Sequence, residues 1–202
     1  IKEYLLKSGC WPFLKQRPYD IIANPDSRPK AIFISAHASA PLAVDYNFTL
    51  QSKKQELQAA LTAISKLTGG EVHVGALKGS NSPFMDLQNI TIHNVSGPHP
   101  SGNVGTLINI VDPVNKGETV WTINPQDLII IGELLLTGKF NAQRTVALVG
   151  SKIQEPRYLK TRMGCEVSTM IYDRGIQKDA KVRIISGNVL TGKEIKPDGF
   201  LD

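Results

Sequence analysis

The stretch Ala31-Ile32-Phe33-Ile34-Ser35, together with the segment Ser52-Lys53-Lys54-Gln55-Glu56-Leu57-Gln58-Ala59-Ala60-Leu61-Thr62-Ala63-Ile64-Ser65-Lys66-Leu67 that follows it, decides the fold class. The first is a short unbroken apolar run, the pattern of a strand buried on both faces. In the second, Leu57, Leu61, Ile64 and Leu67 recur at helical spacing, with Ser52 placed to cap the start and Gly69-Gly70 to end the helix. Working outward, strands are expected over Glu71–Gly75, Ile90–Val95 and Glu118–Ile123. A Pro/Gly-rich turn from Gly97 to Gly102 leads into a helix over Val104–Ile110. Pro125 opens a further helix that runs to about Thr137 and closes on Gly138. Upstream, Lys2–Lys7 reads as the end of a helix stopped by Ser8-Gly9, and Pro12–Pro29 as an ordered loop. Strands alternating with helices over short connectors imply an α/β sheet with helices packed on it.

After Asn141 the texture changes. Strands over Thr145–Val149 and Tyr158–Arg162, a short helix over Glu166–Tyr172 and a strand over Lys181–Ile185 suggest a small α+β module of ubiquitin-like, β-grasp type. The expected organisation is an α/β domain over residues 1–140 and a second domain over residues 141–202.

Composition narrows the function classes. The chain has 202 residues, enough for one large or two small domains with a real core. It opens on Ile1-Lys2-Glu3 without a Met, ends on Gly199-Phe200-Leu201-Asp202, and reads as a piece of a longer protein. The longest apolar stretch, Leu128–Leu136, is interrupted by Gly132 and Glu133, well short of the roughly 20 apolar residues that span a bilayer. Its two cysteines, Cys10 and Cys165, are far apart, whereas an iron–sulfur cluster takes about four thiolates. They read as buried free thiols, although a disulfide is possible. The formal net charge of +5 is uneven. Residues 1–140 carry 12 Lys and Arg against 11 Asp and Glu, and residues 141–202 carry 11 against 7. The basic C-terminal part could face nucleic acid, anionic lipid or an acidic partner, and on charge alone it reads first as a solvated surface with a few extra lysines.

No complete set of residues for metal, phosphate-loop or triad chemistry is visible. Gly97-Pro98-His99-Pro100-Ser101-Gly102-Asn103-Val104-Gly105-Thr106 is rich in glycine and joins a strand to a helix, so its amides could face a phosphate. It has no Lys before Thr106 and lacks the glycine spacing of a dinucleotide fingerprint. His93 and His99 flank that turn without a third ligand, and His93 reads as a packed strand residue. His37 and His73 are isolated in the sequence. The pattern Gly-x-Ser-x-Gly is absent, and Asp86, Asp112 and Asp127 have no evident pair. Trp11 and Trp121 read as core anchors.

Two passages carry a resemblance. One is Ser8-Gly9-Cys10-Trp11-Pro12-Phe13 with Arg17-Pro18-Tyr19, followed by Lys30–Ala36. The other runs from His99-Pro100-Ser101-Gly102-Asn103 through Val111-Asp112-Pro113-Val114 to Thr119–Asn124 and Gln126-Asp127. In order and spacing the chain resembles the A-subunit family of the bacterial Na+-translocating NADH:quinone oxidoreductases. More widely, it is similar to the NADH- and flavin-binding subunit of respiratory complex I and to the C subunit of the Rnf complex. Those relatives carry a G-x-G-G-A-G-F-P-T flavin loop where this chain has Ser8-Gly9-Cys10-Trp11-Pro12-Phe13-Leu14-Lys15. Trp11 and Pro12 would fill the space that glycines leave open and remove an amide donor. Their acidic N-A-D-E-G-E-P-G stretch is Ala36-His37-Ala38-Ser39-Ala40-Pro41-Leu42 here. Val104 stands where their Y-P-x-G-x-E turn has its glutamate. Arg144–Gly150, Glu155-Pro156 through Gly164, and Val167–Ile171 resemble their soluble-ligand-binding β-grasp domain.

The resemblance implies a Rossmann-like, degenerate flavin/NADH domain followed by a β-grasp domain, with further domains on either side. It implies a peripheral subunit on the cytoplasmic face of the inner membrane that binds no redox cofactor itself. NADH, flavins, iron–sulfur and quinone chemistry would then reside in the other subunits. Its partners would be those subunits and quinone, with no nucleic acid. The vestigial flavin cleft, the expected place for quinone, would be lined by Gly9, Trp11, Phe13, Arg17, His99 and Gly102, with no catalytic residue and no metal. The alternative is a flavin- and NADH-binding electron-transfer subunit of Rnf type.

Overall fold

The computed structural model describes residues 1–172, 176 and 181–201. The chain divides into two compact units: Ile1–Ser39 with Asp45–Asn141, and Ala40–Val44 with the chain from Ala142 onward.

In the first unit, α1 (Lys2–Lys7) is followed by a 3-10 turn at Trp11–Phe13 and the strands β1 (Lys15–Arg17), β2 (Ile21–Ile22) and β3 (Ile32–Ser35). Then come α2 (Tyr46–Leu50), α3 (Lys54–Ile64), β4 (Val72–Leu77), β5 (Thr91–Val95), α4 (Val104–Val111), β6 (Val120–Thr122) and α5 (Pro125–Thr137). The six strands form one sheet in the order β2-β1-β6-β3-β4-β5. β6, β3, β4 and β5 run parallel, and the β1–β2 hairpin adds two antiparallel strands at one edge. The sheet is therefore mixed, with a parallel core.

Alternation along β3 explains the layers. Phe33 faces α4, in a cluster with Ala31, Leu107, Ile108 and Val120. Ile32 and Ile34 point to the opposite face beside Val72 and Val74, and all four are buried. The buried stripes of α3 (Leu57, Leu61, Ile64) and α5 (Leu128, Ile131) supply the cover there. α3 and α5 cross closely at Gly132, where an added Cβ would run into the backbone carbonyl of Glu56. Asn124 caps α5 by accepting from Gln126 N at 2.9 Å, Pro125 fills its first turn, and Gly138 ends it at φ 72°.

Three expectations need correction. Pro12–Pro29 is not all loop, because Lys15–Arg17 pair with Val120–Thr122 and with Ile21–Ile22 through backbone alone, leaving no side-chain pattern to read. Ser52 does not cap α3, which begins after Lys53 with no side-chain cap. The capping residue nearby is Asp45, which accepts from Asn47 N at the start of the unforeseen α2. Finally, Cys165 is only partly buried, while Cys10 is fully buried, and both are free thiols.

In the second unit β7 (Gln143–Leu148) pairs antiparallel with β8 (Arg157–Arg162), α6 covers Val167–Ile171, and β9 (Ile184–Ser186) pairs antiparallel with β10 (Lys193–Ile195). The expectation of a domain over residues 141–202 falls in part on residues 173–175, 177–180 and 202, outside the described residues. Among the described residues, no helix is long and apolar enough to cross a membrane.

Candidate functional site

The parallel strands carry the chain out to the right of β3 through β4 and β5, and α4 then returns it to β6 on the left. That reversal places a topological switch point at the C-terminal end of β3, the usual position of a ligand crevice in such sheets. Here the crevice is occupied by the chain itself. Ser35 Oγ donates to Gly102 O at 2.7 Å and shares its proton with His37 O at 3.0 Å. Gly102 N donates to Ser39 Oγ at 2.8 Å, and Ser39 Oγ lies 3.1 Å from His99 Nδ1, a contact either imidazole tautomer can make. A Cβ on Gly102 would stand 2.5 Å from Ser39 N and 2.6 Å from His37 O. Residues 37–39 thus pack directly on the turn that opens α4, and the Ser39 hydroxyl accepts from the Gly102 amide.

The other expected residues lie along the approach to β1. Gly9 adopts φ 78° after α1. Trp11 is 3% exposed, donates from Nε1 to Ala23 O at 2.7 Å, and meets Trp121 edge-on with ring centroids 5.5 Å apart. Phe13 is buried as well. Arg17 Nε lies 3.3 Å from Asp20 Oδ1, an ion pair without hydrogen-bond alignment. The register sets Arg17 beside Val120, at the N-terminal end of β6, whereas Gly9–Phe13 lead into β1 from the C-terminal end of β6. His99 and Gly102 are therefore brought together, and no hydrogen bond or ring contact among the described residues joins them to Gly9, Trp11, Phe13 or Arg17. A flavin does not fit this arrangement: the first loop is closed by a buried indole and Pro12, and the second turn by the 37–39 backbone.

Sequence spacing missed a different pair. His73 Nδ1 and His93 Nε2 lie 3.1 Å apart, and the Phe33 ring sits 4.8 Å from that of His73. The signal was the pairing of β4 with β5, which no linear motif reports. Burial, and then the charge of His93, push the His73 pKa below the ordinary histidine value. Burial likewise lowers His37. Among the described residues no three His, Cys, Asp or Glu groups converge as a metal site.

A groove of about 440 Å³ lies away from these residues, between α2 and the 81–86 loop, and includes Asn47, Gln51, Lys54 and Ser82. In the second unit β8 alternates, with Tyr158, Lys160 and Arg162 exposed on one face. Lys160 and Arg162 make no ion pair among the described residues.

Comparison with known proteins follows the same division. Residues 1–140 match the family model described as NqrA second alpha/beta domain, and residues 145–196 match that described as NQRA C-terminal domain. The chain is 40% identical over 192 residues to the A subunit of the Na(+)-translocating NADH-quinone reductase of Neisseria gonorrhoeae, covering 95% of this chain and 42% of that protein. It is 38% identical to the protein of the same name from Cellvibrio japonicus over 193 residues, 96% of this chain and 43% of that one. The corresponding protein of Serratia proteamaculans is 38% identical over all 202 residues, 44% of its own length. The chain thus spans about two fifths of the length of the curated relatives it matches.

Proposed function

We propose, from the premise that this chain belongs to the NqrA family, that it works as part of the A subunit of a sodium-pumping NADH:quinone oxidoreductase and binds no redox cofactor of its own. The observation that carries this reading is the contact of Gly102 with Ser39 and His37, which leaves a flavin-type crevice filled by the protein's own backbone. Electron transfer would then run through cofactors held by partner subunits, with this chain supplying shape and contact surface. A flavin-carrying subunit of Rnf type would need that crevice open.

The sheet order and the reversal beside β3 support a Rossmann-like description of residues 1–140. The strand–strand–helix–strand order after Asn141 supports a β-grasp description of residues 141–202. A quinone approaching this chain would meet the C-terminal end of the parallel strands, where Gly9, Trp11, Phe13, His99 and Gly102 lie. Arg17 flanks from the far end of β6. The basic face of β8 is the surface we assign to partner subunits, on the cytoplasmic side of the inner membrane. Photo-crosslinking of the assembled complex with an azido-quinone tests the quinone assignment. Labelled peptides from residues 9–13 or 99–102 support it, and labelling confined to other subunits overturns it.

A further inference from the structure

We propose that His73 and His93 form a proton-sharing pair that acts as an acid-sensitive latch between β4 and the edge strand β5. In the parallel register His73 stands opposite Thr91 and Gly75 opposite His93, so both imidazoles lie on the α4 face of the sheet. Their facing nitrogens are 3.1 Å apart and the rings are inclined at 56°. At that separation one nitrogen must donate and the other accept, so the line between them holds a single proton. A proton on each facing nitrogen would end the hydrogen bond, and full protonation of both rings would set two cations against each other at the edge of the sheet.

The surroundings do little to relieve this. Phe33 of β3 packs on His73 without charge. Glu71, just before β4, has Oε2 3.8 Å from His73 Nδ1, but that oxygen already accepts from Thr91 Oγ1 at 2.7 Å. Just past the end of α4, Asp112 exerts a weaker pull and is itself held by Lys30 at 2.7 Å. β5 runs from His93 through Val95 into the turn that ends at Gly102, so weakening the β4–β5 seam also loosens the hold of Ser39 on that turn. The sign follows from the depressed His73 pKa. The pair's contribution is complete above the ordinary histidine range and is lost as pH falls through the folded-state value.

The test is a titration of the intact protein, with 15N-labelled histidine, from about pH 8 to about pH 5, across the histidine range. The expected result is a coupled titration in which His73 takes its proton at lower pH than histidine in an unfolded peptide. His93→Gln should move that midpoint upward and abolish a severalfold acid-induced rise in amide exchange along β5. Independent titration of the two rings at ordinary values overturns the proposal, as does a His73 midpoint unchanged by His93→Gln. Should the variant fail to fold, the wild-type titration decides alone.

Discussion

The amide of Gly102 donates to the hydroxyl of Ser39 at 2.8 Å, and the Gly102 α-carbon faces the backbone of residues 37–39 with no room for a side chain. Two separate loops, one leaving β3 and one entering α4, are joined at the point where related sheets hold a ligand. Gly102→Ala should therefore cost about 1–3 kcal/mol through overpacking against rigid backbone. Ser39→Ala should cost about 1 kcal/mol, the worth of one hydrogen bond. Urea denaturation followed by circular dichroism reads both, and a Gly102→Ala protein as stable as wild type would show that the two loops are not in contact.

Gly132 makes a second contact that only glycine permits. Alanine has the higher helix propensity by about 1 kcal/mol, so an unobstructed Gly132→Ala change would stabilise α5. The Glu56 carbonyl stands in the way, and backbone cannot rotate aside as a side chain can. A lowered melting temperature is expected, and a raised one would place α3 and α5 farther apart than described.

Lys30 ties the connection between α4 and β6, donating to Asp112, Pro113 O and Glu118, each at 2.7 Å. The Lys30 ammonium, with help from the Asn115 amide, holds the Glu118 carboxyl below its ordinary pKa. A depressed carboxylate contributes stability above its unfolded value and loses it as pH falls through the folded one. The difference in urea midpoint between wild type and Lys30→Gln should be present at neutral pH and shrink in acid. A difference that persists unchanged in acid would count against the ion pair.

Lys160 and Arg162 share the exposed face of β8. Their combined reversal, Lys160→Glu with Arg162→Glu, should lower recovery of partner subunits several-fold in co-purification, more steeply at low salt, where surface charge acts farther. Circular dichroism should stay unchanged. Full recovery would remove β8 from the assembly surface.

Periodicity revealed the parts of the fold whose side chains carry the information. The run Ile32–Ile34, the stripe Leu57–Leu61–Ile64 and the Pro125-to-Gly138 frame all appear in the structure as helix or strand. β1 and β2 stayed hidden because three polar residues and two isoleucines are too short for any alternation, and their pairing is made by backbone. α2 and β10 are too short for periodicity to register. At the site, Gly102 and His99 were legible because a glycine-rich turn between strand and helix has few uses. Ser35 and Ser39 were not, since a serine gains its role only when β3 delivers it beside that turn. His73 and His93 are separated along the chain and meet only through the register of two parallel strands.

The cofactor content of the purified intact protein bears most directly on the central claim, that the flavin-type crevice is filled by residues 37–39 and by Trp11. Visible absorbance and fluorescence after release in denaturant should show flavin far below one per chain, with none taken up on incubation with free flavin nucleotide. One flavin per chain, retained through purification and bleached by NADH, would contradict the account.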